Sequence, residues 1–110
     1  MSLFSLHPLK NINVWSDGGI ITTNSLSLYN KLKLLRNHGL VNRDTCKIFA
    51  GNSRLDTLQA IVANSMLKKI NLITKKRITN AMYYDKHLSH IDQITIPKRP
   101  TESIQVFHIY

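Results

Sequence analysis

The fold is decided by the stretch Phe4-Ser5-Leu6-His7-Pro8-Leu9-Lys10-Asn11, which continues to Trp15-Ser16-Asp17-Gly18-Gly19. Pro8 fixes its own φ and biases His7 towards extended geometry. Lys10 is therefore predicted to lie just past the end of a strand, on a backbone with little freedom. The apolar side chains of the stretch are predicted to pack inward: Phe4, Leu6 and Leu9.

The turn Asp17-Gly18-Gly19 is predicted to reverse the chain into a second strand over residues 20–23, which are all β-branched. A lysine held rigidly at a strand end suits a Schiff-base amine, because such an amine needs a fixed direction and a partly desolvated setting. On spacing alone, a solvated loop lysine is the simpler interpretation of Lys10.

A helix is predicted after this second strand. Asn24 or Ser25 can cap its first turn, and Gly39 is the expected stop. Apolar residues at helical spacing mark the faces that pack against the core, although part of this set is expected to stay exposed in the isolated chain. The most buried helical positions are predicted to be Leu28, Leu32, Leu35, Leu58, Ile61 and Val62.

Residues 38–54 are predicted to form a long irregular loop. Ser53 with Asp56 resembles a capping box, which opens a helix predicted to run from near Asp56 past Ser65. A second helix is predicted after a break near residues 69–71. Short strands are predicted at residues 94–96 and 106–110.

Composition excludes several classes of protein. The chain has 110 residues, of which 43% are hydrophobic, and it has no apolar run long enough to cross a membrane. The N-terminus lacks the features of a signal peptide, and the single cysteine, Cys46, cannot form an internal disulfide. We therefore expect a cytoplasmic protein that does not associate with a membrane.

A net charge of +9 and a pI near 10.0 raise the possibility of nucleic-acid binding. The strongest local support is Lys68-Lys69 and Lys75-Lys76-Arg77. These residues fall within a helical pattern, where charge more often marks a solvated face. No zinc-ligand spacing, RNA-binding aromatic motif or basic zipper is present, so we expect neither a metal site nor a nucleic-acid partner.

Two segments carry a resemblance to a known family. Ser-Leu-His-Pro-Leu-Lys-Asn at residues 5–11, followed by Asp-Gly-Gly, resembles the pyridoxal-phosphate lysine segment of the nucleotide-sugar aminotransferases of the DegT/DnrJ/StrS type. Residues 51–60, Gly-Asn-Ser-Arg-Leu-Asp-Thr-Leu-Gln-Ala, are similar to the Gly-x-Asn-x-Arg-Leu-Asp-x-Leu-Gln-Ala motif of the same family. Ser16 departs from the family, which has glycine at the start of the turn.

The resemblance implies an α/β fold, as a fragment of a fold-type I pyridoxal-phosphate-dependent transferase. Residues 1–68 would be the C-terminal part of the large cofactor-binding domain, including a long helix. Residues 69–110 would begin the small C-terminal domain. The aspartate that pairs with the pyridinium nitrogen lies upstream in the family, so the chain by itself is expected to be inactive.

The resemblance also implies site residues. Lys10 would be the catalytic lysine that binds pyridoxal 5'-phosphate, and Ser5 would hold the phosphate. Asn52 would reach the phosphate of the neighbouring subunit in a homodimer. His7 could line the cofactor pocket, although a packed loop histidine is an equally good interpretation.

The implied reaction transfers an amino group, with glutamate as the expected donor, to a nucleotide-linked ketosugar in amino-sugar or surface-polysaccharide biosynthesis. Lys10 argues against the dehydratase branch of the family, which has histidine at this position. The alternative is a non-catalytic truncated remnant, or a basic interaction fragment without activity of its own.

Overall fold

The computed structural model describes residues 1–110 and has two strands followed by three helices. The elements are β1 (Ser2–Ser5), β2 (Gly19–Thr22), α1 (Leu26–Leu35), α2 (Thr57–Leu67) and α3 (Ile70–Leu88). The strands pair in antiparallel fashion, with Ser2 opposite Thr22 and Ser5 opposite Gly19. The predicted α/β class and the predicted strand pair around Lys10 are therefore confirmed.

The loop between the strands closes on a small apolar cluster. Leu6 N donates to Gly18 O at 2.8 Å and Val14 N donates to Leu6 O at 3.2 Å, which folds the loop back on itself. The side chains of Leu6 and Val14 are 2% and 1% exposed. A Cβ at Gly18 would lie 2.9 Å from side-chain carbons of Val14 and Leu55, so a larger residue there would displace these side chains.

The prediction that three apolar residues of the first stretch pack inward is right for Leu6 and wrong for Phe4 and Leu9. Both of the latter side chains are more than half exposed. All residues of β1 and β2 are exposed, because no other element covers either face of the two-stranded sheet. Leu9 lies in a surface turn beyond the strand.

Helix α1 begins and ends as predicted. Ser25 is the N-cap, with its Oγ accepting from Leu28 N at 3.3 Å. Gly39 is buried with φ of +69°, and its N donates to Leu34 O at 2.8 Å. A Cβ at Gly39 would lie 1.7 Å from Ile48 O, so only glycine fits the chain reversal after this helix.

Helix α2 extends past Ser65 as predicted, but the predicted capping box of Ser53 and Asp56 is wrong. Asp56 is the N-cap, and its Oδ1 accepts from Leu58 N at 2.8 Å. Gln59 Oε1 accepts from Asp56 N at 3.2 Å. Ser53 N instead donates to Arg36 O at 2.9 Å, which holds this segment beside the end of α1 and delays the helix start.

The break between α2 and α3 falls at residues 68–69, close to the predicted position. The predicted domain boundary between residues 68 and 69 lies at this break and remains a prediction. None of the three helices combines the length and the apolar character that a membrane-spanning segment requires.

The two predicted C-terminal strands are wrong. Residues 94–96 and 106–110 have no strand pairing, because neither segment has another strand beside it. Ile94 N donates to Ile91 O in a local turn. Phe107 has φ of +44°, which interrupts extended geometry. The carbonyls of Phe107 and His108 accept hydrogen bonds from the Arg77 side chain instead of a neighbouring strand.

The buried helical positions are alanines rather than the predicted leucines, isoleucine and valine. Ala63 in α2 and Ala81 in α3 are buried. Leu58 and Ile61 are 72% and 60% exposed, and Leu35 is also exposed, because no element packs against these faces. The remaining predicted positions are half-buried: Leu28, Leu32 and Val62. The accompanying expectation of partial exposure is confirmed.

Candidate functional site

The backbone before Lys10 is held by three local hydrogen bonds. Lys10 N donates to His7 O at 2.8 Å, which closes a β-turn with Pro8 at its second position. Leu9 N donates to His7 Nδ1 at 3.3 Å, and His7 N donates to Ser5 Oγ at 3.3 Å. Every N–H from His7 to Lys10 is thus bonded, since Pro8 has none. Local hydrogen bonds therefore restrain the backbone at Lys10, in agreement with the expectation.

The amine of Lys10 is free, although the residue is half-buried. It makes no hydrogen bond and no ion pair within the chain. His7 stands on the other side of the turn, with Nε2 4.0 Å from Asp17 Oδ1. Because His7 Nδ1 accepts from Leu9 N, its ring proton is assigned to Nε2, facing Asp17. His7 therefore supports the turn through Nδ1, while Nε2 makes no hydrogen bond within the chain.

Ser5 and Asn52 both retain donors that could bind an anion. Ser5 Oγ accepts from His7 N, which leaves its hydroxyl proton available. Asn52 Oδ1 accepts from Arg54 N at 3.3 Å, while its Nδ2 has no partner in the chain. A hydroxyl, an amide N–H and a lysine amine are the groups that phosphate and an aldehyde require. The donor set therefore fits pyridoxal phosphate.

Asn52 lies apart from the other predicted site residues. It pairs with Asn37 in an isolated antiparallel bridge, and His38 N donates to Gly51 O at 2.9 Å. The guanidinium of Arg54 donates to Asn37 Oδ1 and braces the same bridge. No hydrogen bond joins Asn52 to the turn before Lys10. Ser5, His7 and Lys10 are brought together, and Asn52 is presented on a separate loop.

Two open cavities lie near α1, and neither is lined by a predicted site residue. One, of about 740 Å³, runs between β2 and α1. The other, of about 510 Å³, lies at the C-terminal end of α1. The basic residues lining this second cavity are Lys33, Arg36, Lys47 and Arg54. The turn before Lys10 is thus an open surface of the chain rather than the wall of either cavity.

Sequence reasoning missed Arg77, which contacts this turn. Its Nη2 donates to Leu9 O at 3.2 Å, across 68 residues of sequence. Its neighbours Lys75 and Lys76 are exposed, whereas Arg77 is half-buried. The signal was present in the spacing, because Arg77 lies four residues after Ile73 and four before Ala81, on the apolar face of α3. A charge on an apolar face indicates a specific partner.

A second polar cluster joins α3 to the C-terminal segment. Arg99 donates through Nε and Nη2 to both carboxylate oxygens of Asp85, at 3.0 and 2.7 Å, and Tyr110 OH donates to Oδ1 at 2.7 Å. The hydrogen bonds from Arg99 and then Tyr110 lower the pKa of Asp85. Burial, followed by the hydrogen bond to Asp85, raises the pKa of Tyr110. This cluster anchors the segment and includes no predicted site residue.

Comparison with known proteins identifies relatives over the whole chain. An aminotransferase of Acidithiobacillus ferrooxidans named UDP-N-acetyl-3-dehydro-alpha-D-glucosamine 3-aminotransferase is 33% identical over 105 residues, which are 96% of this chain and 28% of that protein. A UDP-4-amino-4,6-dideoxy-N-acetyl-beta-L-altrosamine transaminase of Helicobacter pylori is 36% identical over 89 residues, covering 77% of this chain and 24% of its own length. The chain thus spans less than a third of the length of these relatives.

A solved structure of the same kind of enzyme also resembles this chain. The structure of Streptomyces venezuelae DesV, in complex with a ketimine intermediate, superposes with a TM-score of 0.88 and 30% identity over 96% of this chain and 29% of that one. The fold expectation is therefore confirmed as part of a DegT-type aminotransferase. The sequence profile described as the DegT/DnrJ/EryC1/StrS aminotransferase family matches residues 1–110, and the chain belongs to that family.

Proposed function

We propose that this chain supplies the cofactor lysine and two phosphate ligands of a pyridoxal-phosphate-dependent nucleotide-sugar aminotransferase, acting together with the further parts of the fold that its relatives have. The observation that carries the proposal is the turn at residues 7–10, whose N–H groups are all bonded while the Lys10 amine stays free. When bound, pyridoxal phosphate supplies the electron sink for transfer of the amino group.

In this proposal each residue has a separate task. Lys10 Nζ attaches the cofactor and, once released, carries a proton to and from the reacting carbon. The Ser5 hydroxyl donates to the cofactor phosphate while His7 N–H fixes its oxygen. Asn52 Nδ2 donates to the phosphate of the partner subunit in a homodimer, which agrees with its position on a separate loop. His7 stabilises the turn by accepting from Leu9 N, and it would line the cofactor pocket of the assembled enzyme.

The names of the relatives support a proposal for the substrate class. Both curated relatives are named as UDP-sugar aminotransferases or transaminases. We therefore propose a nucleotide-linked ketosugar as the amino acceptor and glutamate as the donor, in amino-sugar or surface-polysaccharide biosynthesis in the cytoplasm.

The test adds the part of the fold that precedes the matched region in a relative. The chain is combined with the segment of the S. venezuelae relative that precedes the matched region, together with pyridoxal phosphate, glutamate and a nucleotide-linked ketosugar. We expect formation of 2-oxoglutarate and aminosugar, abolished by Lys10→Ala and retained in Lys86→Ala, a matched exposed lysine of α3. Turnover that persists in Lys10→Ala would contradict the proposal. A complex that retains the cofactor yet transfers no amine would support the non-catalytic alternative.

A further inference from the structure

Arg77 joins three segments that are distant in sequence. It lies in the middle of α3, and its Nη2 donates to Leu9 O at 3.2 Å. Its Nη1 donates to Phe107 O and to His108 O, both at 3.0 Å. One guanidinium therefore holds the residue before Lys10, the helix and the C-terminal segment in a fixed arrangement.

The chemistry of these contacts requires arginine. The Arg77 guanidinium forms no salt bridge, so its partners are the three backbone carbonyls alone. A planar guanidinium can donate in two directions at once, whereas a lysine ammonium is a single point on a flexible stem. Arg77→Lys would therefore keep the charge but lose the simultaneous contacts with Leu9 and the C-terminal segment.

Arg77 also differs in kind from the other contacts of the turn. The hydrogen bonds among Ser5, His7, Leu9 and Lys10 are all local, spanning two or three residues. These local bonds shape the turn, and the bonds of Leu6 with Gly18 and Val14 orient its beginning. Arg77 orients its end at Leu9, and Asn11 assists, because its Nδ2 donates to Val106 O at 2.8 Å.

We propose that Arg77 is a positioning residue for Lys10: by holding Leu9 O it fixes the direction in which the lysine amine leaves the turn, and it couples that direction to the docking of the C-terminal segment. The proposal rests on the proposed function for the role of Lys10. The placement of the turn by Arg77 does not depend on that role.

The first experiment needs no cofactor. Hydrogen exchange of the Lys10 amide is measured in the chain and in Arg77→Ala, Arg77→Lys and Lys76→Ala, an exposed neighbour in the same helix. We expect at least about tenfold faster exchange in both Arg77 variants, because the turn loses its only long-range side-chain anchor at Leu9. Lys76→Ala should exchange as the unchanged chain does. Equal exchange in all four proteins would overturn the proposal.

The second experiment separates positioning from general loss of structure. The second experiment uses the complemented assembly, which is this chain combined with the preceding segment of the S. venezuelae relative. Attachment of pyridoxal phosphate to Lys10 is trapped with borohydride and followed against cofactor concentration. We expect the limiting rate of attachment to fall by about tenfold or more in Arg77→Lys, since a small misplacement of a reacting group costs that much. The apparent dissociation constant should stay unchanged, because Ser5 and Asn52 are intact.

The two experiments fail in different ways. A raised dissociation constant with an unchanged limiting rate would assign Arg77 a merely structural role and overturn the inference. If Lys10 is not the trapped residue in the unchanged chain, the proposed function fails, and the exchange experiment still decides whether Arg77 holds the turn. If circular dichroism shows that Arg77→Ala is unfolded, both experiments are judged on Arg77→Lys. That variant keeps the charge and most of the side-chain stem.

Discussion

Gln59 Nε2 donates to Asp17 O at 3.0 Å, across 42 residues of sequence. The same side chain closes the capping box of α2, because its Oε1 accepts from Asp56 N. One glutamine therefore ties the glycine turn that follows Lys10 to the first turn of the helix that follows Asn52. The two segments that carry the resemblance to the family meet at this side chain.

Gln59→Glu separates the two tasks of this side chain. Glutamate can still accept from Asp56 N but cannot donate to Asp17 O, so we expect a loss of about 0.5–1.5 kcal/mol in the free energy of unfolding. Gln59→Ala should lose more, since the reciprocal cap goes as well. Urea unfolding followed by circular dichroism measures both. A Gln59→Glu variant as stable as the unchanged chain would show that the contact with Asp17 contributes nothing.

Substitutions at Asp56 and Ser53 test which residue is the N-cap of α2. Asp56→Ala should lower the free energy of unfolding by about 1 kcal/mol, because Leu58 N then lacks its acceptor at the helix start. Ser53→Ala is the matched control and should change little, since the bond from Ser53 to Arg36 O is made by the backbone. The reverse order of the two effects, measured by urea unfolding, would restore Ser53 as the cap.

The sequence predicts most of the elements and misses their packing, for identifiable reasons. Ser25, Gly39 and the strand pair are set by local chemistry, so their patterns were sufficient. Asp56-x-x-Gln59 fits the capping box better than Ser53-x-x-Asp56, because the box has glutamate or glutamine at its fourth position. The backbone bond of Ser53 to Arg36 O also holds Ser53 outside the helix.

The other wrong predictions concern strand pairing and burial, which depend on contacts between segments that are distant in sequence. Residues 106–110 read as a strand because strand propensity carries no information on whether a partner strand is present. Leu58 and Ile61 read as core because helical spacing marks an apolar face without showing what covers it. At the candidate site, the resemblance identified Lys10, Ser5 and Asn52 from sequence motifs. The contact of Arg77 with Leu9 O joins residues that are distant in sequence, so only the structure reveals it.

Asn52 and Asn42 form a matched pair for testing the phosphate ligand. Each accepts a bond from the backbone N–H two residues on, Asn52 from Arg54 and Asn42 from Asp44. If Asn52 Nδ2 serves a phosphate, Asn52→Ala in the complemented assembly should weaken cofactor binding by about ten- to a hundredfold, the value of one hydrogen bond to a charged group. Asn42→Ala should leave cofactor affinity unchanged. Equal effects of the two substitutions, measured by fluorescence titration, would reduce Asn52 to a turn residue.

The Asp85 cluster predicts a pH window for docking of the C-terminal segment. The pKa of Asp85 is lowered from its ordinary 3.8, so its contribution is present above that pH and is lost as pH falls through the lowered value. The pKa of Tyr110 is raised from 10.0, so its contribution is present below that pH and is lost as pH rises through the raised value. Arg99 stays charged throughout, since its pKa is raised too.

Near-ultraviolet circular dichroism of the tyrosines, followed against pH, measures this docking. The signal should hold between these limits and change below pH 3.8 and above pH 10.0. Asp85→Asn, which removes the charge that Arg99 binds, should abolish the acid transition. An acid transition centred above pH 3.8 would contradict a lowered pKa for Asp85.

The identity of the cofactor lysine tests the account most directly. The complemented assembly is loaded with pyridoxal phosphate, reduced with borohydride, digested, and mapped by mass spectrometry. We expect a pyridoxyl group on Lys10, absent in Lys10→Ala and unaffected in Lys86→Ala. Label distributed over the other lysines, or undiminished in Lys10→Ala, would contradict it.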